Sequence, residues 1–313
     1  MQEDNKYKIS ILIISYNQEN EIVHALDSIL RQKDYGLHEI VVCDDCSKDK
    51  TWSIVESYVN KYKGVIRAYR NEPNLGIYDN EQKLLSLRGD ADFFSELAGD
   101  DELCDGWFAK IQSFVNQNRI DPEISPVAIY SDWKIVSPSG NEKVFYQDKV
   151  MSSENLVSLA IRGVISPRSV MMTKALVDKF IPVDTSHGLP TAEMRYDLQI
   201  PYFAERAYYC PHIASIYYSE LGISTTTHSL EYDKLRLYNY ETIEEIFNFD
   251  IKDSYLIKSR RYSILFLLNK SLANYLKSIY FYIKSIKKIC RPSYMQVYRI
   301  YRSLLCTGLF RNR

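Results

Sequence analysis

Two acidic pairs stand in the first third of the chain, Asp44-Asp45 and Asp100-Asp101, and each closes a short apolar run. Carboxylates gathered after two separate buried strands repel each other unless a cation lies between them. A divalent metal is the simplest such cation. Further polar residues end other apolar runs in the same way: Ser15, Tyr16 and Asn17 after Ile9–Ile14, and Asn74 to Gly76 after Val65–Tyr69. Cys43 and Cys46 form a C-x-x-C without the second pair that a zinc ribbon needs. Two carboxylates between the sulfurs oppose thiolate formation, so Cys43, at the end of an apolar strand, reads as a buried reduced thiol.

The elements that must position these residues alternate. Ile9–Ile14 is a continuous apolar run, as suits a parallel strand covered on both faces. Ile22, Leu26, Ile29 and Leu30 recur at helical spacing, Glu39–Cys43 is a second strand, and Trp52, Val55, Val59 and Tyr62 mark a second helix. A short strand over Val65–Tyr69, a helix ending over Lys83–Leu87 and a strand over Phe93–Leu97 follow. This pattern predicts an α/β fold with a doubly wound, mostly parallel sheet, whose ligands sit at the carboxyl ends of the strands. After Tyr130 the pattern is less regular, with a hairpin-like turn at Ser137–Gly140 and breaks at Pro167, Pro182 and Pro190. From Tyr232 onward the chain reads as mainly helical, with an interruption at Pro292.

At 313 residues the chain has room for one large catalytic unit and an appended helical region. Its formal net charge is only −1, but fourteen Lys or Arg stand against a single Asp from Ile251 onward, so the first 250 residues are acidic. No run of about twenty uncharged apolar residues occurs, and Met1–Lys8 is polar, which leads to an expectation of a cytoplasmic protein.

Taken together, S-I-L-I-I-S-Y-N at Ser10–Asn17, D-D-C-S-K-D-K-T at Asp44–Thr51, N-L-G-I at Asn74–Ile77 and A-G-D-D at Ala98–Asp101 resemble the family 2 glycosyltransferases of GT-A fold. The resemblance runs over roughly residues 8 to 225, in the family's order and spacing. It implies a GT-A catalytic domain over 1–230, with a donor half over about 1–130 and an acceptor half over about 131–230, followed by a helical basic region over 231–313. It further implies that Ser15, Tyr16, Asn17, Asp44, Asp45, Asn74, Gly76 and Gly99 bind the donor nucleotide. Cys46 stands where the family usually has glycine. Asp100, with Asp101 as helper, would hold Mn²⁺ or Mg²⁺ chelated by the diphosphate, since hard oxygen ligands suit those ions. Ala98 replaces the first aspartate of the usual D-x-D, with Glu96 as a substitute one step early. For the base that takes the acceptor proton, the resemblance points to Asp197, with Glu193 in competition, and Glu220 occupies the place of a later metal-assisting histidine.

The implied activity is inverting transfer from a UDP-sugar to a saccharide or lipid-linked saccharide acceptor, in cell-surface polysaccharide assembly of the O-antigen or capsule type. A sugar-phosphate nucleotidyltransferase is the rival enzyme, although its glycine-rich loop after the first strand is absent; a non-catalytic saccharide- or membrane-binding module is the rival outside enzymology. Leu265, Leu267, Leu268, Leu272, Tyr275, Leu276, Ile279 and Tyr280 among Lys270, Lys277, Lys284, Lys287 and Lys288 resemble a basic amphipathic helix on an anionic leaflet. The expected place is thus peripheral, on the cytoplasmic face of the inner membrane. No nucleic-acid motif accompanies the basic tail, so nucleic acid is not an expected partner.

Overall fold

The computed structural model describes residues 6–152, 155–186, 195–219 and 230–285. The chain divides into two compact units, the first made of Met1–Leu156, Val164–Val183 and Tyr196–Thr226, the second of Val157–Gly163, Asp184–Arg195 and Thr227–Arg313.

In the first unit β1 (Ile9–Ser15), β2 (Leu37–Asp44), β3 (Ile66–Arg70) and β4 (Phe93–Ala98) alternate with α1 (Ile22–Leu30), α2 (Thr51–Lys61) and α3 (Ile77–Ser86). The four strands are parallel, in the order β3-β2-β1-β4. Both faces of β1 are covered, which is why its sequence runs apolar without alternation: Ile9, Ile11, Leu12 and Ile13 have no exposed surface. Ile22, Ala25, Leu26 and Ile29 of α1 close over one face.

Beyond β4 the sheet becomes mixed. After β5 (Glu102–Leu103) and α4 (Trp107–Asn118) come β6 (Val127–Val136), β7 (Glu142–Phe145), β8 (Val170–Thr173) and β9 (Arg206–Tyr218). β8 lies antiparallel between β4 and β6, β9 runs parallel to β6, and β5 pairs antiparallel with β9. The turn at Ser137–Gly140 is the hairpin between β6 and β7. The irregular sequence of this half follows from the mixed pairing, since β6 and β9 are covered unevenly along their lengths and β9 carries a bulge opposite Ser131–Trp133.

The second unit contains helices Leu230–Ile246, Ile251–Asn269 and Leu272–Ser285. Arg195, 3% exposed, is held there by Asn239 (Nε to Oδ1, 3.1 Å) and Thr242 (Nη2 to Oγ1, 2.6 Å). The basic amphipathic stretch of the sequence is two helices rather than one. Lys270 adopts a left-handed conformation (φ 54°) that ends the first, and Asn269 Oδ1 accepts from the Ser271 N–H at 3.1 Å to begin the next. Of the two, Ile251–Asn269 buries Leu256, Ile257, Ile264 and Phe266 within the protein.

Two acids brace the sheet. At its amino-terminal end Glu39 accepts from Ser10 Oγ (3.0 Å) and the Gly89 N–H (2.7 Å), and from Arg67 through Nε (2.9 Å) and Nη2 (2.7 Å). A Cβ on residue 89 would lie 2.5 Å from Glu39 Oε1, so Gly89→Ala should cost about 1–3 kcal/mol in urea unfolding. An unchanged midpoint would show that the carboxylate can move away. Glu96 on β4 receives the Tyr196 hydroxyl at 2.5 Å, and burial pushes its carboxyl up to about 7. That value lies above the roughly 4.3 of a free glutamate, so folding retains a proton that the unfolded chain releases. The resulting stability is full below about pH 4 and is lost as pH rises through about 7. Thermal melts should therefore fall between pH 5 and 8 in the native protein and less steeply in Glu96→Gln; parallel slopes would clear Glu96.

Candidate active site

Parallel register brings the chemistry-bearing strand ends to one edge of the sheet. Ser15 lies beside Asp44, Asp44 beside Arg70, and Ile14 beside Ala98, so the loops after β1, β2, β3 and β4 all leave the carboxyl side together.

The first two loops are zipped to each other. The Asn17 N–H donates to Ser47 Oγ (2.9 Å), Gln18 N–H to Thr51 Oγ1 (2.7 Å) and Glu19 N–H to Asp49 Oδ2 (3.1 Å). Bonds also run the other way, from Lys48 N–H to Asn17 Oδ1 and from Lys50 N–H to Glu19 Oε2, both 2.8 Å. Asp49 additionally accepts from the Thr51 N–H and hydroxyl, and these bonds hold its carboxyl below the usual range against the opposing effect of burial. Asn17 and Cys46 both have positive φ, 52° and 62°, a conformation that asparagine tolerates and cysteine rarely adopts. Tyr16 stands out from this surface, 41% exposed.

Asp44 and Asp45 are turned inward. Asp44 has no exposed surface; it accepts from the Ser47 N–H (3.0 Å) and from the Ser47 hydroxyl, with Arg70 Nε 3.5 Å away. Asp45 accepts from Asn71 Nδ2, the Leu75 N–H and the Gly76 N–H, each at 2.8 Å. Its own carbonyl receives Asn74 Nδ2 at 2.7 Å. Gly76 takes φ 84° as its N–H reaches Asp45, which explains glycine in N-L-G. Charge at this first acidic pair is thus met by an arginine and by N–H donors. Arg70 and Asn71, which hold these carboxylates, carry no motif and were not singled out by sequence. Cys43, just before them, is fully buried, and burial pushes its thiol up to about 11.

The second acidic pair differs. A Cβ on residue 99 would lie 2.5 Å from Gln18 Oε1, so glycine there leaves the space that the Gln18 amide occupies. Gln18 also hydrogen-bonds Asp100, whose carboxyl burial nevertheless raises. Asp101, 5% exposed, is pushed up to about 7 by burial, even though Arg168 Nη1 binds its Oδ2 at 3.0 Å. Its Oδ1 is buried with no hydrogen-bond partner among the described residues. Arg168 lies 4.1 Å from the Tyr217 ring and 5.7 Å from the Trp133 ring, and only the fold brings it to Asp101. Among the described residues no three His, Cys, Asp or Glu side chains cluster as a ready metal cage. Two carboxylates whose charge is penalised by burial, one with an orphaned oxygen, do fit a divalent cation whose remaining ligands come from a diphosphate.

Asp197 belongs to the same unit, on the segment that Tyr196 ties to β4 through Glu96. Its charge adds to burial in raising the hydroxyl pKa values of Tyr130 and Tyr196. Glu96 is engaged with Tyr196 two residues before Ala98 on the strand, rather than standing at the strand end as a replacement aspartate. Glu193 and Glu220 lie outside the described residues.

Comparison with known proteins agrees with this geometry. Residues 10–146 match the sequence model described as glycosyl transferase family 2. An uncharacterized glycosyltransferase of Haemophilus influenzae is 25% identical over 293 residues, covering 90% of this chain and 92% of that one. An uncharacterized protein of Mycobacterium tuberculosis is 35% identical over 94 residues, 30% of this chain, and the match spans only 27% of that relative's length. Among solved structures, that of Staphylococcus aureus TarS residues 1–349 in complex with UDP-GlcNAc superposes with a TM-score of 0.61 at 18% identity, covering 90% of this chain and 81% of that one. The fold is GT-A, a mostly parallel sheet with helices and a helical C-terminal region. Residues 10–146, which hold β1 to β4 and both acidic pairs, are thus similar to glycosyl transferase family 2, and the fold around them is that of the TarS structures.

Proposed function

We propose that the protein transfers a sugar from a UDP-sugar to a hydroxyl of a saccharide or lipid-linked saccharide acceptor, with inversion, in cell-surface polysaccharide assembly. The observation that carries this reading is the Tyr196–Glu96 hydrogen bond, which ties the Asp197 segment to the strand whose end bears Asp100 and Asp101. A candidate base and a candidate diphosphate site are thereby referred to one rigid element. The TarS structures bear on the donor, since that protein was solved with UDP-GlcNAc and with UDP.

The nucleoside rests on the zipped loops, with Ser15, Tyr16 and Asn17 on one side and Asn74-Leu75-Gly76 on the other. Asp44 and Asp45 help to orient it by fixing the backbone of both loops. Gly99 keeps Gln18 against Asp100. Asp100 and the free oxygen of Asp101 face the diphosphate, and Arg168 supplies fixed positive charge beside them. Asp100 and Asp101 would hold a divalent cation there, Mn²⁺ or Mg²⁺, which would supply positive charge to the departing diphosphate. Asp197 takes the acceptor proton as the hydroxyl oxygen attacks the anomeric carbon.

Sugar-dependent UDP release, assayed across nucleotide sugars with Mn²⁺ present, tests the proposal. Asp197→Asn should lower kcat by about 10²- to 10⁴-fold with donor KM little changed. Asp100→Asn should shift the Mn²⁺ dependence to higher concentration. Pyrophosphate exchange instead of UDP release would make the protein a nucleotidyltransferase, and donor binding without turnover would make it a binding module.

A further inference from the structure

The helix Leu272–Ser285 is apolar on two sides, and among the described residues only one of them is packed. Its inner side packs on Ile251–Asn269: Phe281 stacks on Tyr255 and Tyr262 (ring centroids 6.1 and 5.4 Å), Tyr275 meets Phe266 at 5.3 Å, and Ser278 receives Ser259 through its carbonyl at 2.9 Å. On the outer side Leu272, Leu276, Tyr280 and Ile283 recur at steps of four, four and three, and 54–67% of each is exposed. At 100° per residue these four fall within about 80° of arc, a continuous apolar stripe. Lys277 and Lys284 follow Leu276 and Ile283 by one residue each, so they border the stripe along one flank.

We propose that this outer face docks on an anionic lipid bilayer surface, the stripe entering the headgroup boundary and the lysines meeting lipid phosphates. Charge selects the occupant. From Ser254 to Arg313 the chain contains thirteen Lys or Arg and no Asp or Glu, so any partner must be negative. A second copy would set the same lysines against each other, whereas an anionic leaflet satisfies both the apolar stripe and its basic flank. No helix among the described residues is long and apolar enough to cross a membrane, so contact through this face is interfacial. The inference concerns the second unit alone and stands apart from the transfer reaction.

Co-sedimentation of the full chain with vesicles tests it, using phosphatidylcholine alone and an equal mixture with phosphatidylglycerol. Binding is expected to the mixed vesicles only and should weaken as salt rises. The double variant L276D/I283D should release the protein from them, and K277E/K284E should weaken binding at least about tenfold, since each basic residue near such a surface contributes about 1 kcal/mol. Both variants should keep the circular dichroism of the parent and its sugar-dependent UDP release with a water-soluble acceptor. Equal binding by parent and variants, no binding of the parent to anionic vesicles at low salt, or a dimer in size-exclusion chromatography that L276D/I283D disperses would overturn the proposal.

Discussion

Removing a carboxylate from water is costly unless donors replace the lost hydration, and the carboxyl edge of this sheet is organised around two that are fully supplied. Asp45 collects three N–H donors from the end of β3 and the turn after it, and Asp44 collects the Ser47 loop and Arg70. Each bond fixes a backbone segment that has no regular secondary structure of its own. Because Asp44 and Asp45 are adjacent, the loops after β2 and β3 are set by the same short stretch of chain. The loop after β1 is then added through its exchange of hydrogen bonds with Ser47, Asp49 and Thr51. The result is a polar floor held by hydrogen bonds between its own loops.

Against that floor the second acidic pair stands out for what it lacks. Asp100 and Asp101 are penalised by burial, and among the described residues the cation beside them is Arg168, bound to one oxygen of Asp101. Incomplete compensation is the condition under which a site gains from a cationic or cation-bearing ligand. The two pairs look alike in sequence and do opposite work: one builds the surface, the other leaves charge to be met.

The surroundings of Asp197 are built by a longer route. Glu96 is placed by β4, Tyr196 reaches it from a hundred residues further along, and Asp197 follows Tyr196. Trp133, Phe145 and Tyr217 form an aromatic group beside Arg168, the first two stacked at 4.3 Å. These contacts join β4, the β6–β7 hairpin, β9 and the loop before β8, so they exist only once the mixed half of the sheet has formed.

The alternation of β1 to β4 with α1 to α3 is legible along the chain, because strands buried on both faces must be apolar throughout and amphipathic helices must repeat near 3.6 residues. The sequence also implies that Ser15–Asn17, Asp44-Asp45, Asn74–Gly76 and Asp100-Asp101 share one edge, since parallel strands joined by crossovers all end on the same side. Which way each carboxylate faces was decided by tertiary structure, since Arg70, Asn71 and Arg168 have no periodicity or motif and acquire their partners only by proximity in space. The same holds for the mixed strands after β5, whose uneven burial erases the two-residue period, and for the break at Lys270. Patterns along the chain report on which face of an element is buried; the pairing of charges across elements depends on distances that no local pattern encodes.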